Sequence, residues 1–124
     1  CSFHRGNVFI ETKRLAAEGA LFDIVVADPP AFVKSRRDIK TGARGYRKLA
    51  RLSAALVAPG GLLFTASCSH HMPVDQFAEQ IRRGIGDAGR TARILYSTGA
   101  GPDHPVHPHL PESAYLKAQL LQLD

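Results

Sequence analysis

Residues 21–27, Leu-Phe-Asp-Ile-Val-Val-Ala, form a short apolar run rich in β-branched side chains and cut off by Asp28-Pro29-Pro30. A run of that length and composition, stopped by two prolines, reads as a buried strand. A second run, Leu62-Leu63-Phe64-Thr65-Ala66, follows Ala58-Pro59-Gly60-Gly61 and reads as a strand entered through a turn. A third spans Thr91 to Tyr96, and a fourth closes the chain from Ala114 to Leu123. Between them the apolar period changes from strand-like to helical. Tyr46, Leu49, Leu56 and Val57 mark one stripe within Ala43–Val57; Val74, Phe77, Ala78, Ile81, Ile85 and Ala88 mark another. Pro73 suits the start of that second helix and Gly89 its end, while Gly84 and Gly86 weaken its last turns. Residues 11–18 form a weaker helix before the first strand. Strands alternating with helices predict an α/β fold with a mostly parallel sheet. The 124 residues leave room for a single domain.

Charge is distributed unevenly. Between Lys34 and Arg51, eight cations (Lys34, Arg36, Arg37, Lys40, Arg44, Arg47, Lys48, Arg51) face Asp38 alone, a net +7 over 18 residues. The whole chain carries +5, so the remainder sums to −2. Such a block attracts a polyanion, most often nucleic acid, although a solvated basic face would read the same way. No stretch approaches the roughly 18 uninterrupted apolar residues of a membrane span, and no signal peptide is visible at the start. The two cysteines, Cys1 and Cys68, are too few for a secreted disulfide scaffold, which points to a reducing cytoplasm.

In open α/β sheets, ligands bind beyond the carboxyl ends of the strands. Two such ends carry chemistry here: Asp28-Pro29-Pro30, and Ser67-Cys68-Ser69 with His70 and His71 behind it. If the two strands are adjacent and parallel, these loops lie side by side. Asp28 can accept hydrogen bonds from an amine or a protonated ring nitrogen, or simply cap a turn. Cys68 precedes a helix start, which favours thiolate, and reads either as a nucleophile or as a small buried hydrophobe. His104, His107 and His109 match no standard metal-ligand spacing, so no metal is expected. Gly99-Ala100-Gly101 runs into Pro102 rather than a helix and is no phosphate loop.

Four segments in order, FDIVVADPPAFVKS, GYRKL, APGGLLFTASCS and DHPVHPHLPESAYLK, resemble the PUA-linked class I S-adenosylmethionine-dependent methyltransferases that make 5-methylcytosine in 23S ribosomal RNA. The resemblance implies a Rossmann-like sheet whose closing strand is antiparallel. It also implies that residues 1–124 are the C-terminal part of the catalytic domain, with the glycine-rich cofactor-binding half and a PUA domain upstream. It makes Cys68 the nucleophile that adds to carbon 6 of cytosine, and Asp28 the acid that holds the base's amino edge. Pro29, Pro30, Ser67 and Ser69 would shape the substrate pocket. Asn7 stands where the family places an aspartate on the cofactor's adenine, and Asp28 would also face the cofactor. Lys34, Arg36, Arg37, Lys40 and Arg44 would grip RNA phosphates. Many RNA cytosine methyltransferases carry a second cysteine in the loop occupied here by Asp28-Pro29-Pro30-Ala31, and this chain has none. The base that removes the carbon-5 proton is therefore open, with Asp103 and His104 as candidates. Two other readings stand beside this one. One is a methyltransferase acting on a base nitrogen through Asp-Pro-Pro, with Cys68 structural. The other is a non-catalytic RNA-binding fragment, which would leave a long apolar sheet edge exposed.

Overall fold

The computed structural model describes residues 1–124, with helices α1 (Val8–Ala17), α2 (Ile39–Ala54) and α3 (Val74–Asp87). Strands β1 (Phe22–Ala27), β2 (Val57–Ser67), β3 (Ala92–Thr98) and β4 (Lys117–Leu123) form one sheet in the order β1-β2-β4-β3. β1 and β2 run parallel, while β4 is antiparallel to both β2 and β3. Three strands therefore share one direction and the last runs against them. It is inserted between β2 and β3 rather than added at the edge.

Each element has a local cause. α1 begins at Val8, three residues earlier than its periodicity predicts, because the Asn7 side chain accepts the Phe9 N–H at 3.0 Å and caps the helix. α2 begins at Ile39, ahead of the predicted Ala43, after a 3₁₀ turn over Arg36–Asp38. β2 starts at Val57 rather than Leu62. Pro59-Gly60-Gly61 does not precede the strand; it bulges out of it, between the pairings Phe22 with Val57 and Ile24 with Leu62. Gly60 takes φ +76°, and a Cβ on Gly61 would sit 2.9 Å from the carbonyls of Ala58 and Asp23, so glycine is required at both.

The core lies on one side of the sheet. Tyr46, Leu49, Ala50 and Ala54 of α2 and Phe77, Ile81 and Ile85 of α3 pack onto Ala27, Leu63, Leu121 and Leu123. The alternate strand residues point the other way. Ile24 and Val26 are 62% and 64% exposed, and Tyr96 on β3 is 62% exposed. This corrects the reading of 21–27 and 91–96 as buried strands. Both are edge strands, with a neighbour on one side only and helices over one face only. Their composition is that of strands covered on both faces, as in doubly wound sheets.

Candidate active site

The parallel pairing of β1 with β2 brings Val26 opposite Phe64 and Ala27 opposite Thr65. The chain leaves the sheet at Asp28 on one strand and at Cys68 on the next, at the same end, with strands about 4.8 Å apart. The two chemically loaded loops therefore lie side by side. Asp28 and Pro30 are exposed and Pro29 is buried. Cys68 is a free, half-buried thiol.

A buried hydroxyl network joins the loops. The Val33 N–H, on the Asp28 side, donates to Ser69 Oγ at 3.1 Å. Tyr46 of α2 shares a 2.7 Å hydrogen bond with Ser69 Oγ and accepts one of 2.7 Å from Ser67 Oγ. The Ser69 N–H donates back to Ser67 Oγ at 3.2 Å. Ser67 and Ser69, expected to line the substrate pocket, are thus fully buried, with both hydroxyls engaged in the interior. Burial alternates along this stretch: Ser67 at the end of β2 and Ser69 just past it are fully buried, and Cys68 between them is half-buried. Close packing at the start of α2 holds the same corner. A Cβ on Gly42 would meet the Phe32 carbonyl oxygen at 2.7 Å.

Lys117, which no sequence pattern singles out, lies directly opposite Ser67 on β4 and is 5% exposed. Its Nζ donates to the Ser69 carbonyl at 2.7 Å and the Tyr115 carbonyl at 2.9 Å. Burial holds its amine below the ordinary lysine range, and the charge of Cys68 opposes that shift. Nothing in the sequence marks a lysine at the head of an apolar strand as buried. Tyr46 was legible only as one member of an apolar stripe.

The long histidine-rich segment folds back onto this corner. His70 stacks on Tyr115 with ring centroids 4.6 Å apart, and His104 meets the same ring edge-on at 5.5 Å. His104 and Asp103 are both exposed; His104 reaches the Tyr115 ring on which His70 of the Cys68 loop stacks, and Asp103 is no part of that ring cluster. On the other flank, a cleft of about 460 Å³ opens between α1 and β1, walled by Phe9, Val26, Pro29 and Phe32, with Asn7 and Asp28 at its polar points. Lys34, Arg36, Arg37, Lys40 and Arg44 lie on the loop and the first turns of α2, at or near the surface. Two neighbours in the basic block have other partners: Arg47 is bonded to Asp87 at 2.6 and 2.7 Å, and Lys48 lies 4.4 Å from the centre of the Phe9 ring. No helix is long and apolar enough to cross a membrane.

No family profile matches the chain. It is 36% identical over 123 residues to the ribosomal RNA large subunit methyltransferase I of Pseudoalteromonas atlantica, covering 99% of this chain and 31% of that protein. Among solved structures it superposes on a methyltransferase crystallised with S-adenosylhomocysteine, with a TM-score of 0.76, 25% identity and coverage of 94% of this chain and 30% of the other. A SAM-dependent methyltransferase from Streptococcus mutans gives 0.75, 27%, 94% and 29%. The fold is Rossmann-like, as in these methyltransferases. The chain spans about a third of the length of the relatives it matches.

Proposed function

We propose that this chain is the C-terminal part of the catalytic domain of a class I S-adenosylmethionine-dependent methyltransferase, and that the enzyme methylates carbon 5 of a cytosine in 23S ribosomal RNA. In this reading the glycine-rich half and a PUA domain lie upstream. One observation carries the reading: Cys68 and Asp28 stand at the neighbouring carboxyl ends of two paired parallel strands, with Cys68 half-buried between two fully buried serines. The similarity to large-subunit rRNA methyltransferases supports the substrate class.

Carbon 5 of cytosine is a weak nucleophile. The Cys68 thiolate adds its electron pair to carbon 6, and the displaced π pair makes carbon 5 an enamine carbon. S-adenosylmethionine, when bound, supplies a methyl group on positively charged sulfur, the electrophile that carbon 5 needs. A base then takes the carbon-5 proton, the double bond re-forms, and the carbon–sulfur bond breaks to return the Cys68 thiolate. Asp28 accepts hydrogen bonds from the amino edge of the base and holds it in register. Asp103 and His104 are the candidate bases, and the packing of His104 on the Tyr115 ring, which also stacks on His70, supports His104.

The cleft between α1 and β1 fits one part of the cofactor. Its apolar walls suit a flat heteroaromatic ring, and Asn7 and Asp28 offer polar partners at its rim. Because Asn7 Oδ1 is already engaged at the helix cap, only its amide nitrogen remains to donate. Lys34, Arg36, Arg37, Lys40 and Arg44 supply phosphate contacts beside the same corner, and the target base leaves any stack to reach it.

The test is tritium release from 23S RNA labelled at carbon 5 of cytidine, using the full-length protein and S-adenosylmethionine. Release by the wild type, lost in Cys68→Ala, is expected. Methyl groups entering the RNA without release would move the chemistry to a nitrogen and return Cys68 to a packing role.

A further inference from the structure

Lys117 poses a problem that the proposed reaction resolves. It is an ammonium-bearing side chain at 5% exposure, and no carboxylate pairs with it. Two backbone carbonyls satisfy two of its donors, but carbonyls bring no counter-charge. A buried cation without an anion is costly, and such a group is ordinarily paired or neutralised. One of the two carbonyls belongs to Ser69, beside Cys68 on the β2–α3 loop; the other belongs to Tyr115, on whose ring His70 and His104 pack. The Tyr46 hydroxyl of α2 is occupied by Ser67 and Ser69. Lys117 Nζ bonds the carbonyl of Ser69, the residue next to Cys68, and Cys68 is the nearest residue in that loop able to carry a negative charge.

We propose that Lys117 is the positioning residue for Cys68: its ammonium fixes the Ser69 carbonyl just beyond the cysteine and serves as the counter-charge of the Cys68 thiolate. This rests on the carbon-5 reading above. In that reaction negative charge on sulfur appears twice, before addition and again when the carbon–sulfur bond breaks. A fixed cation stabilises both states without transferring a proton, and the thiol proton goes to solvent. The two carbonyl bonds keep the ammonium in place between turnovers and join the Cys68 loop to β4 and, through Tyr115, to His70 and His104.

The experiment is alkylation of Cys68 by iodoacetamide at pH 7, read by mass spectrometry of the Cys68 peptide in the full-length protein without RNA. The wild-type thiol is expected to react faster than N-acetylcysteine. Lys117→Gln, which keeps donors for the carbonyls and loses the charge, is expected to slow Cys68 about tenfold, and Lys117→Arg to restore most of the rate. Tyr46→Phe, which loosens the serines without touching the charge, is expected to stay within about twofold of wild type. In turnover, Lys117→Gln is expected to lower kcat and leave KM unchanged. A wild-type rate below that of N-acetylcysteine overturns the inference even if the glutamine variant does not fold. So does a glutamine variant as fast as wild type, or Tyr46→Phe as slow as Lys117→Gln. Alkylation needs neither RNA nor cofactor. If the alkylation pattern holds while the wild type releases no tritium, the carbon-5 reading is what has failed.

Discussion

At the scale of single residues, the candidate site residues at the strand ends are readable in the sequence, and the buried residues tied to them are not. Asp28 and Cys68 stand where apolar runs stop, and a stop is written locally in prolines, glycines and small polar residues. Tyr46 and Lys117 owe their roles to partners 21 to 48 positions away in sequence, Ser67 and Ser69, so no local pattern announces them. Ser67 and Ser69 were visible but assigned to the wrong side, because their burial follows from α2 covering one face of the sheet. Tyr46 makes the clearest test. Removing its hydroxyl leaves two buried serine hydroxyls short of a partner while the ring still packs against Phe77 at 5.4 Å. Tyr46→Phe is expected to lower stability by about 1–3 kcal/mol in urea denaturation, with an unchanged m-value. A loss below a few tenths of a kcal/mol would mean that water replaces the phenol and the network is not a structural tie.

At the scale of elements, strand and helix order followed from the change in apolar period, but packing reversed the meaning of particular glycines. Gly84, a weak point on propensity alone, is where α3 approaches α2. A Cβ there would lie 2.5 Å from the Arg47 carbonyl oxygen and 2.6 Å from Ala50 Cβ. At Gly86, two residues on, a Cβ would have nothing within 4 Å of it. The two are therefore expected to respond oppositely to the same change. Gly84→Ala should destabilise by about 1–3 kcal/mol through overpacking, whereas Gly86→Ala should stabilise by up to about 1 kcal/mol through helix propensity. Paired thermal melts check this, and equal responses would mean that α2 and α3 do not meet at Gly84. The bulge at Pro59-Gly60-Gly61 carries the same lesson. Its residues spell a turn, and only the register of β1 against β2 reveals that the strand continues through it.

At the scale of the whole chain, residues 1–124 cover one face of the sheet only. Its helices pack on one face, and the other carries Ile24, Val26 and Tyr96 largely bare. Sequence could not reveal this, since Leu-Phe-Asp-Ile-Val-Val-Ala reads the same whether a second layer is present or not. Both outer strands, β1 and β3, carry bare apolar side chains. The corner where β1 and β2 end gathers a half-buried thiol, an aspartate just past the neighbouring strand, a buried lysine amine and exposed cations on the loop and first turns of α2. The central claim is that this thiol bonds to the base. It is tested most directly by offering the full-length protein 23S RNA in which cytidine carries fluorine at carbon 5, together with S-adenosylmethionine. After methylation, carbon 5 then has no proton to lose, so Cys68 cannot be expelled and stays bonded to carbon 6. A denaturation-resistant protein–RNA adduct mapping to Cys68, and absent in Cys68→Ala, is the predicted result. Methylated RNA with no adduct would contradict the account.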